Sequence, residues 1–224
     1  MQVIEAQEGV KVYNLTSGKS LPEWLKGQNN NRRKRRLPRG RIELIQDCEF
    51  PTACNKVVFS PDGDFMLGIG TYKPRVKIWE LSQLSVKTER NIDSEAIDIK
   101  VLTNDWRKFA LLHSDRNIEL HSAQGHYFKT RIPKFGRALD YEPSTCDLFA
   151  VGASNQVYRL NLEQGRFLAP FETELPEINT IEINPMHPLM IVGGVNGVIE
   201  AWDARDRRCC ASLNLSDTLT KDFG

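Results

Sequence analysis

The chain has 224 residues, 40% of them hydrophobic and 26% charged, with 30 Lys and Arg against 29 Asp and Glu for a formal net charge of +1. That balance excludes a disordered polyelectrolyte, and it excludes whole-surface attraction to nucleic acid, so any electrostatic grip has to be local. With 15 Gly and 11 Pro, the composition suits a turn-rich β protein better than a helical bundle.

The N-terminal residues carry Glu5 and Glu8 and no apolar segment, so no secretory signal is expected. No run approaches 18 consecutive apolar residues, so no membrane span is expected. The cysteines are Cys48, Cys54, Cys146, Cys209 and Cys210, an odd number without a CxxC pair. Reduced thiols in an intracellular protein are expected, with neither a disulfide framework nor a zinc site.

The first predicted strand is Val10 to Leu15. Residues 17–41 follow as an insertion, and then a repeat begins. The first unit has β-type runs at Val57–Phe59, Phe65–Gly70 and Val76–Trp79, and the second at Ile99–Leu102, Phe109–Leu112 and Ile118–His121. The third has Leu139–Tyr141, Leu148–Gly152 and Val157–Leu160, and the fourth Ile181–Pro185, Leu189–Gly193 and Val198–Trp202. Turn anchors Ser60, Thr103, Glu142 and Asn184 are 43, 39 and 42 residues apart. Strand-end anchors Trp79, His121, Leu160 and Trp202 are 42, 39 and 42 apart. Two independent anchors giving nearly one period is a repeat signal. A weaker fourth run lies between successive units, at Ser85–Arg90, Phe128–Ile132 and Arg166–Phe171. Four short strands in about 40–45 residues match a WD40-type propeller blade. Short β-branched runs with Gly or Pro at their boundaries disfavour a helical repeat. Trp79-Glu80 and Trp202-Asp203 stand where a WD dipeptide belongs, as rings packed between blades.

A blade cannot bury both of its faces alone, so Phe109–Leu112 and Leu189–Val192 are expected as continuous buried runs. Cys209–Leu215 is expected to start a fifth unit. The chain is thus all-β, an incomplete WD40-type β-propeller of about four full blades plus an N-terminal closing strand. Residues 1–16 are the strand of the closing blade, 17–41 a basic insertion loop, 42–215 the blades and 216–224 a C-terminal tail. The count predicts either an N-terminal portion of a longer protein or a shortened gene product.

Five ordered blocks carry a family resemblance: Ser17-Gly18-Lys19-Ser20-Leu21-Pro22-Glu23-Trp24-Leu25; Arg41-Ile42-Glu43-Leu44-Ile45-Gln46-Asp47; Gly70-Thr71-Tyr72-Lys73-Pro74-Arg75-Val76; Arg131-Ile132-Pro133-Lys134-Phe135-Gly136-Arg137; and Val151-Gly152-Ala153-Ser154 with Val157 to Arg166. From about residue 10 to about residue 205 the chain resembles the nucleolar protein ten family. The resemblance implies a non-enzymatic WD-repeat scaffold of the small-subunit processome, in the nucleus and nucleolus. Its implied partners are other processome proteins and pre-ribosomal RNA, with no cofactor, no membrane and no small-molecule substrate. The rival class is a peptide-binding WD40 adaptor, a ubiquitin-ligase receptor or signalling scaffold, since fold alone does not choose function.

Arg32, Arg33, Lys34, Arg35, Arg36, Arg39 and Arg41 place seven positive charges in ten residues. Such a loop neutralises phosphates, serves as an import signal, or is simply solvated. Trp24 lies in an apolar stretch that packs on the propeller or docks a partner. Tyr72, Lys73 and Arg75, and Lys134, Phe135 and Arg137, are partner-binding candidates: basic loops with an aromatic inside, able to stack a base and hold phosphate, and suited also to ordinary inter-strand turns. His113, His121, His126 and His187 have no Cys or carboxylate at ligand spacing and are expected as turn histidines. With no GxSxG, P-loop or HExxH motif, no catalytic or metal site is expected.

Overall fold

A computed structural model describes the backbone of residues 2–5, 11–14 and 43–46, and residues 50–83, 85–187 and 189–215. The chain divides into two compact units, Met1–Ile92 and Asp93–Gly224. The insertion 17–41 with its basic cluster and Trp24, and the tail 216–224, lie outside the described residues.

In the first unit β1 (Gln2–Glu5), β2 (Lys11–Asn14) and β3 (Glu43–Gln46) form a three-stranded sheet. β1 and β2 are antiparallel, β2 and β3 parallel. Blade 1 follows as β4 (Cys54–Phe59), β5 (Phe65–Gly70), β6 (Arg75–Glu80) and β7 (Ser85–Asn91). Leu67, Ile69, Val76 and Ile78 are fully buried, whereas Phe59 on β4 is 62% exposed. Phe50 lies over the glycine pair Gly68 and Gly70 and meets Trp79 edge-on at 6.0 Å. A Cβ on Gly70 would stand 2.3 Å from the Phe50 ring, so the bare backbone makes the seat.

The second unit holds three blades. Blade 2 is β8 (Ala96–Val101), β9 (Phe109–His113), β10 (Asn117–Ser122) and β11 (Gly125–Arg131). Blade 3 is β12 (Gly136–Glu142), β13 (Asp147–Gly152), β14 (Gln156–Asn161) and β15 (Arg166–Glu172). Blade 4 is β16 (Ile178–Ile183), β17 (Leu189–Gly194), β18 (Val198–Asp203) and β19 (Arg208–Asn214). Every blade is a four-stranded antiparallel meander in chain order, the expected propeller blade. Cys209–Leu215 does not open a fifth unit. It is the last strand of blade 4, pairing Ala211 with Ala201 and Leu213 with Ile199.

The turn anchors close their hairpins by side-chain bonds to backbone. Ser60 Oγ accepts from Phe65 N at 3.0 Å, and Asp62 Oδ1 accepts from Asp64 N at 3.0 Å. Thr103 and Asp105 repeat the arrangement with Lys108 N and Arg107 N, and Asn184 Oδ1 accepts from Met186 N at 2.8 Å. Short polar side chains able to bond locally are what such turns select.

Between the blades of this unit the core is apolar. Leu148 and Ala150 of β13 pack with Ala110, Leu112 and Ile118 of blade 2. Phe149 and Val151 of the same strand pack with Ile181, Met190, Val192 and Trp202 of blade 4. With both faces covered, all six residues of β13 are buried, which is why the strand reads as an apolar run. β17 departs from expectation: Met190 and Val192 are buried, but Ile191 is 45% exposed because only one face of blade 4 is covered among the described residues.

Two buried aspartates tie blade to blade. Asp98 accepts from Ile99 N at 2.7 Å with one oxygen and from Leu139 N of blade 3 at 2.9 Å with the other. Asp140 does the same with Tyr141 N at 2.8 Å and Ile183 N of blade 4 at 2.6 Å, and also pairs with Lys100. Each carboxylate thereby satisfies two backbone donors that no ladder reaches.

Candidate functional site

The aromatic-basic loop of the second unit runs from β11 into β12. Phe135 is 59% exposed at its tip, with Lys134 exposed beside it. The loop is fastened from beneath, where Phe135 O accepts from Ala153 N at 2.9 Å. Gly152 lies directly under that carbonyl, and a Cβ there would be 1.9 Å from it. The Phe135 ring is backed by Arg116, whose guanidinium carbon lies 5.3 Å from the ring centroid. Arg116 Nη1 donates to Pro133 O at 3.2 Å, which fixes the side chain over the loop.

Sequence reasoning missed Arg116. It occupies the left-handed region at φ 69°, which costs a residue with a Cβ about 1–2 kcal/mol. The equivalent turn of blade 4 places Gly197 there, at φ 76°. Aligning the repeats at Asn196-Gly197 and Asp115-Arg116 was the available signal: where one blade uses glycine, another holds an arginine.

Of the other candidates in this loop, Arg137 is engaged by blade 4. It donates to Asn179 Oδ1 at 2.7 Å and to Glu177 Oε2 at 2.6 Å. Lys134 and Phe135 are therefore the presented pair, and Arg137 positions the strand behind them.

In the first unit Tyr72 is 65% exposed on the turn between β5 and β6, and Lys73 is exposed with it. Thr52 holds this turn: its Oγ1 accepts from Tyr72 N at 3.2 Å and lies 2.9 Å from Tyr72 O and 2.7 Å from Thr71 Oγ1. Arg75 turns back along the sheet, pairing with Glu89 and donating Nε to Lys73 O at 3.3 Å. Here too the aromatic and the lysine are presented while the arginine braces the turn.

The histidines differ from expectation. His113 and His121 are strand residues on β9 and β10, buried, and they share a carboxylate. Glu119 Oε2 is 3.2 Å from His113 Nε2 and 3.4 Å from His121 Nε2, and Lys129 Nζ is 2.8 Å from Glu119 Oε1. The pairing has no local signature in the sequence, because Glu119 and His121 meet by alternation along one strand while His113 arrives across the hairpin. Burial opposes ionisation of Glu119, but the bond from Lys129 and the field of His113 outweigh it and hold the carboxyl below the ordinary range. The Glu119 bond in turn raises Lys129 above its ordinary value. His121 stacks on Phe109 at 5.0 Å, so the cluster is packed inside the sheet. Among the described residues no group of three or more His, Cys, Asp or Glu is placed to hold a metal ion.

The comparisons with known proteins agree on one relationship. A family model described as Nucleolar protein 10-like, N-terminal domain, a β-propeller, matches residues 2–223. The chain is 51% identical to Nucleolar protein 10 of Homo sapiens, over 99% of this chain and 33% of that protein. It is 39% identical to Ribosome biogenesis protein ENP2 of Saccharomyces cerevisiae, over 94% of this chain and 30% of that protein. It is 38% identical to Ribosome biogenesis protein enp2 homolog of Schizosaccharomyces pombe, over 96% and 35%. The chain spans about a third of the length of the curated relatives it matches.

Proposed function

The chain belongs to the Nucleolar protein 10-like family through its N-terminal β-propeller domain, and from that premise we propose that it acts in the nucleolus as a non-enzymatic scaffold of ribosome biogenesis. The observation that carries the reading is the match over residues 2–223, with about half of the residues identical to Nucleolar protein 10 of Homo sapiens. In this reading the chain works in the small-subunit processome, its blades meeting other processome proteins and its basic segments meeting pre-ribosomal RNA. Residues 17–41 are a basic insertion between the N-terminal closing strand and the blades of residues 42–215.

Two features support an RNA contact in addition to protein contacts. Lys134 stands beside an exposed Phe135 whose ring is braced by Arg116, a combination that offers a stacking surface with adjacent positive charge. The cluster Arg32 to Arg36, with Arg39 and Arg41, supplies charge that the near-neutral body lacks. Each phosphate it neutralises steepens the salt dependence of binding by about 0.7–0.9 log units per log of salt. Trp24, Tyr72 and Lys73 are assigned to partner contacts.

The test is recovery of the tagged chain from nuclear extract at low and moderate salt. Small-subunit precursor RNA and processome proteins are expected with it. Changing Arg32, Arg33, Lys34, Arg35 and Arg36 to Ala is expected to remove the RNA or the nucleolar enrichment. Retention of both by that variant would falsify the assignment of the cluster, and recovery of a ligase or signalling complex without RNA would replace the scaffold reading with an adaptor.

A further inference from the structure

A cavity of about 200 Å³ opens in the second unit, between the turn from β12 to β13 and the turn from β18 to β19. Its walls bring together Arg159 of β14, Ser144 and Thr145 of the blade 3 turn, and Arg205 and Arg207 of the blade 4 turn. Two carboxylates, Glu142 and Asp147, also line it, and their state decides what the slot can hold.

Asp147 is fully buried and already compensated. Arg159 donates to its Oδ2 through Nε at 2.8 Å and Nη2 at 2.5 Å, and Asn161 Nδ2 donates to its Oδ1 at 2.9 Å. Burial alone would raise this carboxyl, but the bonds from Arg159, Thr145 and Asn161 hold it below the ordinary range. Glu142 is occupied by its own turn, accepting from Ser144 N at 3.3 Å and Ser144 Oγ at 2.7 Å. Arg205 and Arg207 are exposed and make no ion pair with any described residue. Arg207 is held at φ 55°, in the left-handed region, where its backbone N donates to Asp203 O at 2.9 Å. The charges left on the slot are thus the two guanidiniums and the Glu142 carboxylate, a net of one positive charge, while the Ser144 and Thr145 hydroxyls already donate to Glu142 and Asp147. Planar guanidinium donors free of a carboxylate partner are the chemistry that recognises a tetrahedral oxyanion.

We propose that this slot between blades 3 and 4 binds the phosphate group of a phosphorylated serine or threonine on a partner protein. The cavity has room for a single phosphoryl group and its linking side chain. Asp203 and Asp206 stand among Arg205, Arg207 and Arg208, a local net of one positive charge, which suits a single phosphate on a peptide better than the run of phosphates along a nucleic-acid backbone.

The experiment uses the full 224-residue chain with arginine side chains labelled for NMR. The probes are a capped Gly-phosphoserine-Gly tripeptide, its unphosphorylated form, inorganic phosphate and a short oligouridylate. Saturable shifts at Arg205 and Arg207 Nε–H are expected with the phosphotripeptide and not with the unphosphorylated peptide, and inorganic phosphate should displace it. Arg205→Gln and Arg207→Gln should each weaken binding by about tenfold, the loss of one charge-assisted hydrogen bond, without a change in melting temperature. Glu142→Gln keeps the turn's acceptor, removes the opposing charge and should tighten binding. The proposal is overturned if no binding saturates, if the arginine variants bind as the parent does, or if oligouridylate binds these arginines more tightly than the phosphotripeptide.

Discussion

Gly152→Ala is the sharpest test of how the Phe135 loop is held. A Cβ at this position would stand 1.9 Å from Phe135 O, 2.7 Å from Gly136 Cα and 2.8 Å from Phe135 C. All three atoms are backbone, so no side chain can rotate to make room. Ordinary carbon-to-oxygen contacts begin near 3.3 Å, so the loop must lift by more than about an ångström. Lifting it stretches the 2.9 Å bond from Ala153 N to Phe135 O. Overpacking costs about 1–3 kcal/mol and the lost hydrogen bond about 1 kcal/mol. Reduced freedom of the unfolded chain returns about 0.4–1 kcal/mol. The net is about 2–3 kcal/mol, which for a chain of this size lowers the melting temperature by about 5–10 °C. Thermal unfolding followed by circular dichroism measures it, with Gly193→Ala as the comparator. There the obstructing atom is the Thr180 hydroxyl at 2.8 Å, a side chain that can turn away, and a cost below about 1 kcal/mol is expected. Equal melting of Gly152→Ala and the parent, or equal losses in the two variants, would refute the steric account.

Other outcomes follow from the same structure. Asp140→Ala leaves the buried N–H groups of Tyr141 and Ile183 without an acceptor and should cost about 3 kcal/mol in urea titration; a loss below about 1 kcal/mol would mean that water replaces the carboxylate. Glu200→Ala strands the Trp202 indole N–H, now 2.8 Å from Glu200 Oε2, at about 1–3 kcal/mol, while Glu200→Gln should keep most of the stability. For pH, Glu119 and Asp147 both have folded pKa values below the ordinary range. Their contribution is therefore complete above the unfolded carboxylate value near 4 and is lost as pH falls below it through the folded values. Melting temperature should fall across that acid window, and Glu119→Gln with Asp147→Asn should flatten the fall. For the presented aromatic, Phe135→Ala should weaken single-stranded RNA binding by about 1–3 kcal/mol with little change in melting temperature, and unchanged affinity would remove it from the proposed contact.

Much of the fold was legible before any coordinates. Two sets of anchors, Ser60 to Asn184 and Trp79 to Trp202, recur at the blade period because every blade needs the same turn and the same buried strand end. The four blades stand where those anchors placed them. β19 is not legible as part of blade 4 because an outer strand is one-sided and exposed, so Cys209–Leu215 carries no pattern that binds it to the preceding unit rather than the next. The exposed Ile191 has the same cause: an apolar run tells that a face can be covered, and only the neighbouring sheet tells whether it is.

The sites divide along the same line. Composition and order of residues marked the loops at Tyr72 and Phe135, since an aromatic among basic residues is a local property. Which cation each loop keeps for solvent was not local. Arg75 and Arg137 read as equals of Lys73 and Lys134, yet Glu89 on the next strand, and Glu177 and Asn179 on the next blade, occupy them. Arg116 beneath Phe135, the shared Glu119 of His113 and His121, and the meeting of Arg205 and Arg207 with Ser144 and Thr145 join residues from different strands or different blades. By itself the sequence determined the period, the turns and the alternation of faces, because those depend on neighbours a few residues apart. Tertiary structure alone decided which charges are spent inside and which remain, because a charge is compensated by whatever lies within a few ångströms of it, whatever its distance along the chain.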